Sequence, residues 1–168
     1  MYKLILFNGE NIMYKQLFKL FFRTTRQTFK ETTGLVMDAK KLGFEKFKIS
    51  VLGRKKVLVN ATKEDTNLTC ELNIAENKMV QKEVGYSYVF STPYPHQQCT
   101  KITKGDLRGN IARVKSVDLR RNNVGNFIET TQIQDFKTGN TYKRVKTDKG
   151  STYYKQFGET CWQPLFQV

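Results

Sequence analysis

Histidine, cysteine and proline are scarce in this chain, and each scarcity excludes something. There is one histidine, His96, and three widely separated cysteines, Cys70, Cys99 and Cys161. No C-x-x-C pair occurs, so this composition argues against a structural zinc site built from this chain alone. An odd, scattered set of thiols equally argues against a secreted disulfide framework and reads as reduced cysteine in a cytoplasmic protein, the host-cell cytoplasm if the protein is viral. With only 3 prolines and no low-complexity tract, long disorder is not expected. Long apolar runs are also missing. The most apolar stretches, Leu4–Phe7 and Leu17–Phe22 with Lys19 inside it, fall far short of the ~18 apolar residues of a spanning helix, so no membrane partner is expected. Neither a P-loop nor a G-x-G-x-x-G stretch is found.

The most telling deficit is acidic. The chain has 15 Asp+Glu against 29 Lys+Arg, a formal net charge of +14 over 168 residues. Residues 1–100 hold 16 basic and 9 acidic side chains, and residues 101–168 hold 13 and 6, so the excess is not confined to a tail. A folded body so charged attracts polyanions from a distance, and nucleic acid is the commonest of them. DNA or RNA is therefore the expected partner. No pattern specifies an oligomeric state.

The pattern along the chain predicts an α+β fold in two parts, a small α/β unit over 1–92 and a β-rich nucleic-acid-binding module over 101–168. Residues 2–7 read as a strand, Asn8-Gly9 as a hairpin turn and 12–14 as the returning strand. Leu17, Leu20 and Phe21 recur at helical spacing within a helix over 16–30. Its polar side is wholly basic: Lys19, Arg23, Arg26 and Lys30. Such a face is solvated, or lies against phosphates, or rests on a membrane surface. A second helix is expected over 33–42 and a strand over 47–52. A third helix is expected near 65–82, because Leu68, Leu72, Ala75 and Met79 fall on one helical face.

After Pro93-Tyr94-Pro95 the character changes. Turn signals recur at Gly105-Asp106, Gly109-Asn110, Asn122–Asn126, Gly139-Asn140 and Asp148–Gly150. They separate candidate strands 111–119, 127–136, 141–147 and 152–157, the spacing of a small antiparallel SH3-like or OB-like barrel. Basic and aromatic residues interleave there. Tyr142 and Arg144 share one face, and Tyr153, Lys155 and Phe157 share another. Arg113, Lys115, Arg120 and Arg121 add charge. Rings offer stacking platforms for bases, and cations track the backbone. Cys161-Trp162 reads as a core plug.

The first half also resembles the GIY-YIG nuclease family. Tyr2, the Asn8-Gly9 hairpin, Tyr14 and a basic helix with Arg23 and Arg26 stand in that family's order. Ala39–Phe47 is similar to its helix-to-strand junction, Leu68-Thr69-Cys70-Glu71 to its metal-binding helix, and Gly85-Tyr86 to a segment that follows. The resemblance implies a divergent endonuclease of phage or mobile-element type. Tyr2 and Tyr14 would then be catalytic with Arg23 as phosphate clamp. Glu71 would hold a single Mg²⁺ that polarises the scissile phosphate. The chain departs from the family in having no Gly-Ile before Tyr2, and Gln16 in place of the second motif's glycine. The alternative is a non-enzymatic DNA- or RNA-binding protein: a ribonucleoprotein or virion component, or a phage inhibitor. A third reading is a module whose positive surface meets an acidic protein.

Overall fold

The computed structural model describes residues 8–157 and 161–167, with side chains from Ile12 to Lys155. The fold is α+β, with a β-rich antiparallel module. The chain divides into two units, Met1–Val80 and Gln81–Val168. The strand predicted over 2–7, with Tyr2, lies outside the described residues, as do the side chains of Phe157, Cys161 and Trp162.

The first unit opens with helices α1 (Asn8–Arg23) and α2 (Arg26–Lys41). The N-terminal β-hairpin expected at Asn8-Gly9 is not formed. Those two residues begin α1, and residues 12–14 belong to it. The reason is period: Met13, Leu17 and Leu20 recur at three- and four-residue spacing and are all buried, which a strand ending at Tyr14 would forbid. The helix expected over 16–30 breaks in two at Thr24-Thr25. The Thr24 hydroxyl donates to Leu20 O at 2.7 Å, closing α1. Thr25 sits in extended backbone and caps α2, accepting from Thr28 N at 3.3 Å.

Strands β1 (Glu45–Gly53), β2 (Lys56–Lys63) and β3 (Thr66–Asn73) follow as an antiparallel meander. The third predicted helix is therefore replaced by β3 and by β4 (Lys78–Tyr88), the strand that carries the division between the units. Leu68 and Leu72 suit both periods, since four residues is one helical turn and also two strand repeats. Cys70 and Ile74 decide it: all four are buried, in strict alternation. Tight turns confirm the strand ends, with Glu64 (φ 51) and Asn77 (φ 52) in the left-handed region.

Val57, Val59, Ala61 and Leu68 form one face of β2–β3 and pack with Met13, Leu17, Leu20, Val36 and Ala39 from the helices. Gln16 ties α1 to the sheet differently. Its side-chain amide donates to Phe47 O at 2.7 Å and accepts from Ile49 N at 2.5 Å. Among the described strands β1 ends the meander, so this amide stands in for a neighbouring strand at its edge. Gln16→Met keeps the volume but leaves both backbone groups unpaired. It is expected to cost about 2 kcal/mol in urea unfolding.

The second unit continues through β5 (His96–Gly105), β6 (Ile111–Arg121), β7 (Phe127–Asp135), β8 (Thr141–Thr147), β9 (Gly150–Phe157) and β10 (Cys161–Gln167). Three of its hairpins share one chemistry. Asp106, Asn122 and Asp135 each accept two backbone N–H bonds from the loop ahead through a side-chain oxygen. Each loop then reverses at a glycine of positive φ: Gly109 (91), Gly125 (95) and Gly139 (72). The strands lie in chain order as an open meander, every one antiparallel to the next. The expected SH3-like or OB-like closure would pair first strand with last, and the described strands do not do so. Every buried apolar side chain among the described residues lies between Met13 and Ile74, so none belongs to this second unit.

Candidate nucleic-acid interface

Register decides which side chains of the second unit share a surface, because directly opposed residues in antiparallel strands point the same way. One cross-strand row runs Thr100, Val117, Thr131, Arg144, Tyr153. On the face it defines lie Lys104 of β5, Arg113, Lys115 and Arg121 of β6, Arg144 and Lys146 of β8, and Lys155 of β9. Two carboxylates, Glu129 and Asp135, share that face. The opposite face carries three cations, Lys101, Arg120 and Lys143, and one carboxylate, Asp118. Part of this opposite face, at Asp118, Arg120, Ile128 and Thr130, lines a cavity of about 240 Å³ together with Thr92, Pro93 and Tyr94. The charge excess is therefore directional.

The two aromatic–basic pairs meet on the basic face rather than on separate ones. Tyr142 stands opposite Lys155, and Arg144 opposite Tyr153. The Lys155 ammonium is 6.0 Å from the Tyr142 ring centre, and the Arg144 guanidinium 5.9 Å from that of Tyr153. Arg144 also donates to Glu129 at 3.0 Å. The Tyr153 hydrogen bond, then Glu129, pushes its pKa up. Arg144 is thus held by two neighbours and positions Tyr153.

Lys104, Arg113, Arg121 and Lys146 differ from it: they are exposed and carry no salt bridge to a described residue. From Arg113 to Arg121 is eight residues of strand, about 26 Å, enough to track several phosphates. Arg120 faces the other way, 3.4 Å from Asp118. Lys104 and Lys146 were not singled out by sequence, although alternation along β5 and β8 places them on this face.

The other candidate residues lie in the first unit. Tyr14, Lys19 and Arg23 are exposed on α1, and Arg26 and Lys30 on α2. Glu71 sits on β3 and pairs with Lys56 at 3.0 Å. It alternates with buried Cys70 and Leu72, so it points away from the sheet face that the helices cover. The sheet therefore separates Glu71 from Tyr14 and Arg23. Among the described residues no group of three or more His, Cys, Asp or Glu side chains could hold a metal ion. Burial, and secondarily Glu71, pushes the Cys70 thiol up to about 12, so it stays protonated. His96 begins β5, its Nε2 2.9 Å from Asn123 Oδ1.

No protein-family model matches the chain, and no curated protein and no solved structure matches it significantly. No helix among the described residues is long and apolar enough to cross a membrane.

Proposed function

We propose that this protein binds nucleic acid without cleaving it, using the basic face of β5–β9. The directional charge carries this reading: seven cations and two carboxylates on one face, with three and one on the other. Exposed lysines and arginines spread along strands suit the phosphate backbone, where each neutralised phosphate releases counterions. Tyr142, 37% exposed beside Lys155, supplies a ring on which a base can stack. Nothing on this face selects one base over another, so weak sequence preference follows. The placement of Glu71 behind the sheet from Tyr14 and Arg23 favours binding over the endonuclease reading, whose chemistry needs these groups at one phosphate.

The test is a salt titration of affinity for a labelled single-stranded oligonucleotide, with Mg²⁺ or EDTA present. A log–log slope of about −3 to −5 is expected, from −0.7 for each of roughly four to seven contacts. A flat salt dependence would overturn the proposal, and so would metal-dependent cleavage.

A further inference from the structure

Helix α1 has three sides, and only two are accounted for. Met13, Leu17 and Leu20 face the core. Lys15, Lys19 and Arg23 form a basic edge. Between these, over about 100° of the helix circumference, lie Tyr14, Phe18, Phe21 and Phe22. Phe18 is 67% exposed, Phe21 54% and Phe22 70%. The rings stack edge-to-face, Phe18 on Phe22 at 5.1 Å and Phe21 on Phe22 at 5.3 Å. Phe21 also meets Phe29 of α2 at 5.2 Å, which widens the patch. Contiguous exposed apolar surface of this kind marks an interaction site.

We infer that this aromatic ridge docks onto an anionic lipid surface, lying in the plane of the interface without spanning it. Two observations choose this occupant. From Ile12 to Lys30 the chain carries five basic residues and no carboxylate. A bilayer rich in anionic headgroups complements that charge, with lysines and arginines at the headgroups and phenyl rings at the acyl boundary. Second, Phe18 and Phe22 project as a ridge. A partner helix needs a groove to lie in, whereas a bilayer accepts a ridge. A second copy is disfavoured by the net charge of +14 that each copy would bring. The expectation of no membrane partner rested on the absence of a spanning segment, and an interfacial helix needs none. The inference is independent of the nucleic-acid reading, which uses a different unit.

The experiment is flotation of the full chain with vesicles of phosphatidylcholine, alone or mixed with phosphatidylglycerol. Binding is expected to the mixed vesicles only. The double variant Phe18→Ser/Phe22→Ser changes no charge and no buried residue, so its circular dichroism and its oligonucleotide affinity should be unchanged. Its partition coefficient should fall by at least about 100-fold, because each of the two rings removed is worth on the order of tenfold or more. A separate Phe22→Trp variant should show quenching by brominated lipid above the level of the parent chain. Three results would each overturn the proposal: no binding of the parent chain to mixed vesicles, equal binding by the double variant, or a dimer that the double variant dissociates. The second would mean adsorption by charge alone, and the third that a copy of the chain covers the ridge.

Discussion

Replacing Lys104, Arg113, Arg121 and Lys146 together by glutamine is expected to weaken oligonucleotide binding about 200-fold at physiological salt. The magnitude follows from counterion release. At 0.15 M salt each neutralised phosphate on a single strand contributes about 0.8 kcal/mol, so four contacts contribute about 3 kcal/mol. The same variant should flatten the salt slope by about 3, an independent readout of the same four contacts. Folding should not suffer: the four are exposed and form no salt bridge to a described residue, and their removal lowers a self-repelling charge. The control is Lys101→Gln/Arg120→Gln/Lys143→Gln on the opposite face, close in number of charges removed. If affinity depends on total charge alone, the two variants will weaken binding in proportion to the charge removed. If it depends on the basic face, only the first will lose most of it. Equal loss per charge would leave a generic polycation, and the directional proposal would fail.

What could be read from the residues alone varied with the kind of signal. The hairpins of the second unit were legible because Asp106, Asn122 and Asp135, with the glycines behind them, carry their own turn chemistry. The aromatic–basic character of β8 and β9 was legible by alternation. That their two faces coincide was not, because this depends on register. The signal was nonetheless present: with Thr147 paired to Gly150, counting back three residues on one strand and forward three on the other puts Arg144 opposite Tyr153. Closure into a barrel was not legible at all, since the apolar residues of these strands divide between both faces. Ile102, Val117 and Ile133 lie on one face, and Val114, Ile128 and Val145 on the other. Without a one-sided apolar pattern, nothing in the sequence distinguishes an open meander from a closed one.

Two segments of the first unit carry signals for both a helix and a strand. Asn8-Gly9 suits a hairpin turn and can equally stand at the first turn of a helix, and the Met13–Leu17–Leu20 period that follows it decides for the helix. Over Leu68–Met79 the helical spacing of Leu68, Leu72, Ala75 and Met79 competes with the strand alternation that buried Cys70 and Ile74 complete, and the alternation prevails. In both places the wider set of buried side chains outweighed the local signal. The resemblance to the nuclease family drew on these same two segments. Its hairpin became part of a helix, and the helix meant to hold Glu71 became a strand.

Leu20→Ala is expected to destabilise the protein by about 3–4 kcal/mol, within the range for a leucine removed from a closed core. Leu20 is 0% exposed, and its neighbours in the cluster come from both helices and the sheet, so collapse around the missing atoms would have to move several elements at once. Alanine is the better helix former, so propensity cannot explain the loss and slightly offsets it. Met13→Ala should behave similarly, since Met13 is 2% exposed, whereas Ile12→Ala and Phe22→Ala, at 55% and 70%, should change stability by less than about 0.5 kcal/mol. The contrast between Ile12 and Met13 tests the start of α1 directly. A returning strand over 12–14 would put Ile12 and Tyr14 together on one face, so burying that face would make Ile12 the sensitive position and Met13 the tolerant one. Urea unfolding followed by circular dichroism measures all four. Leu20→Ala costing less than about 1 kcal/mol would mean that α1 does not close this core.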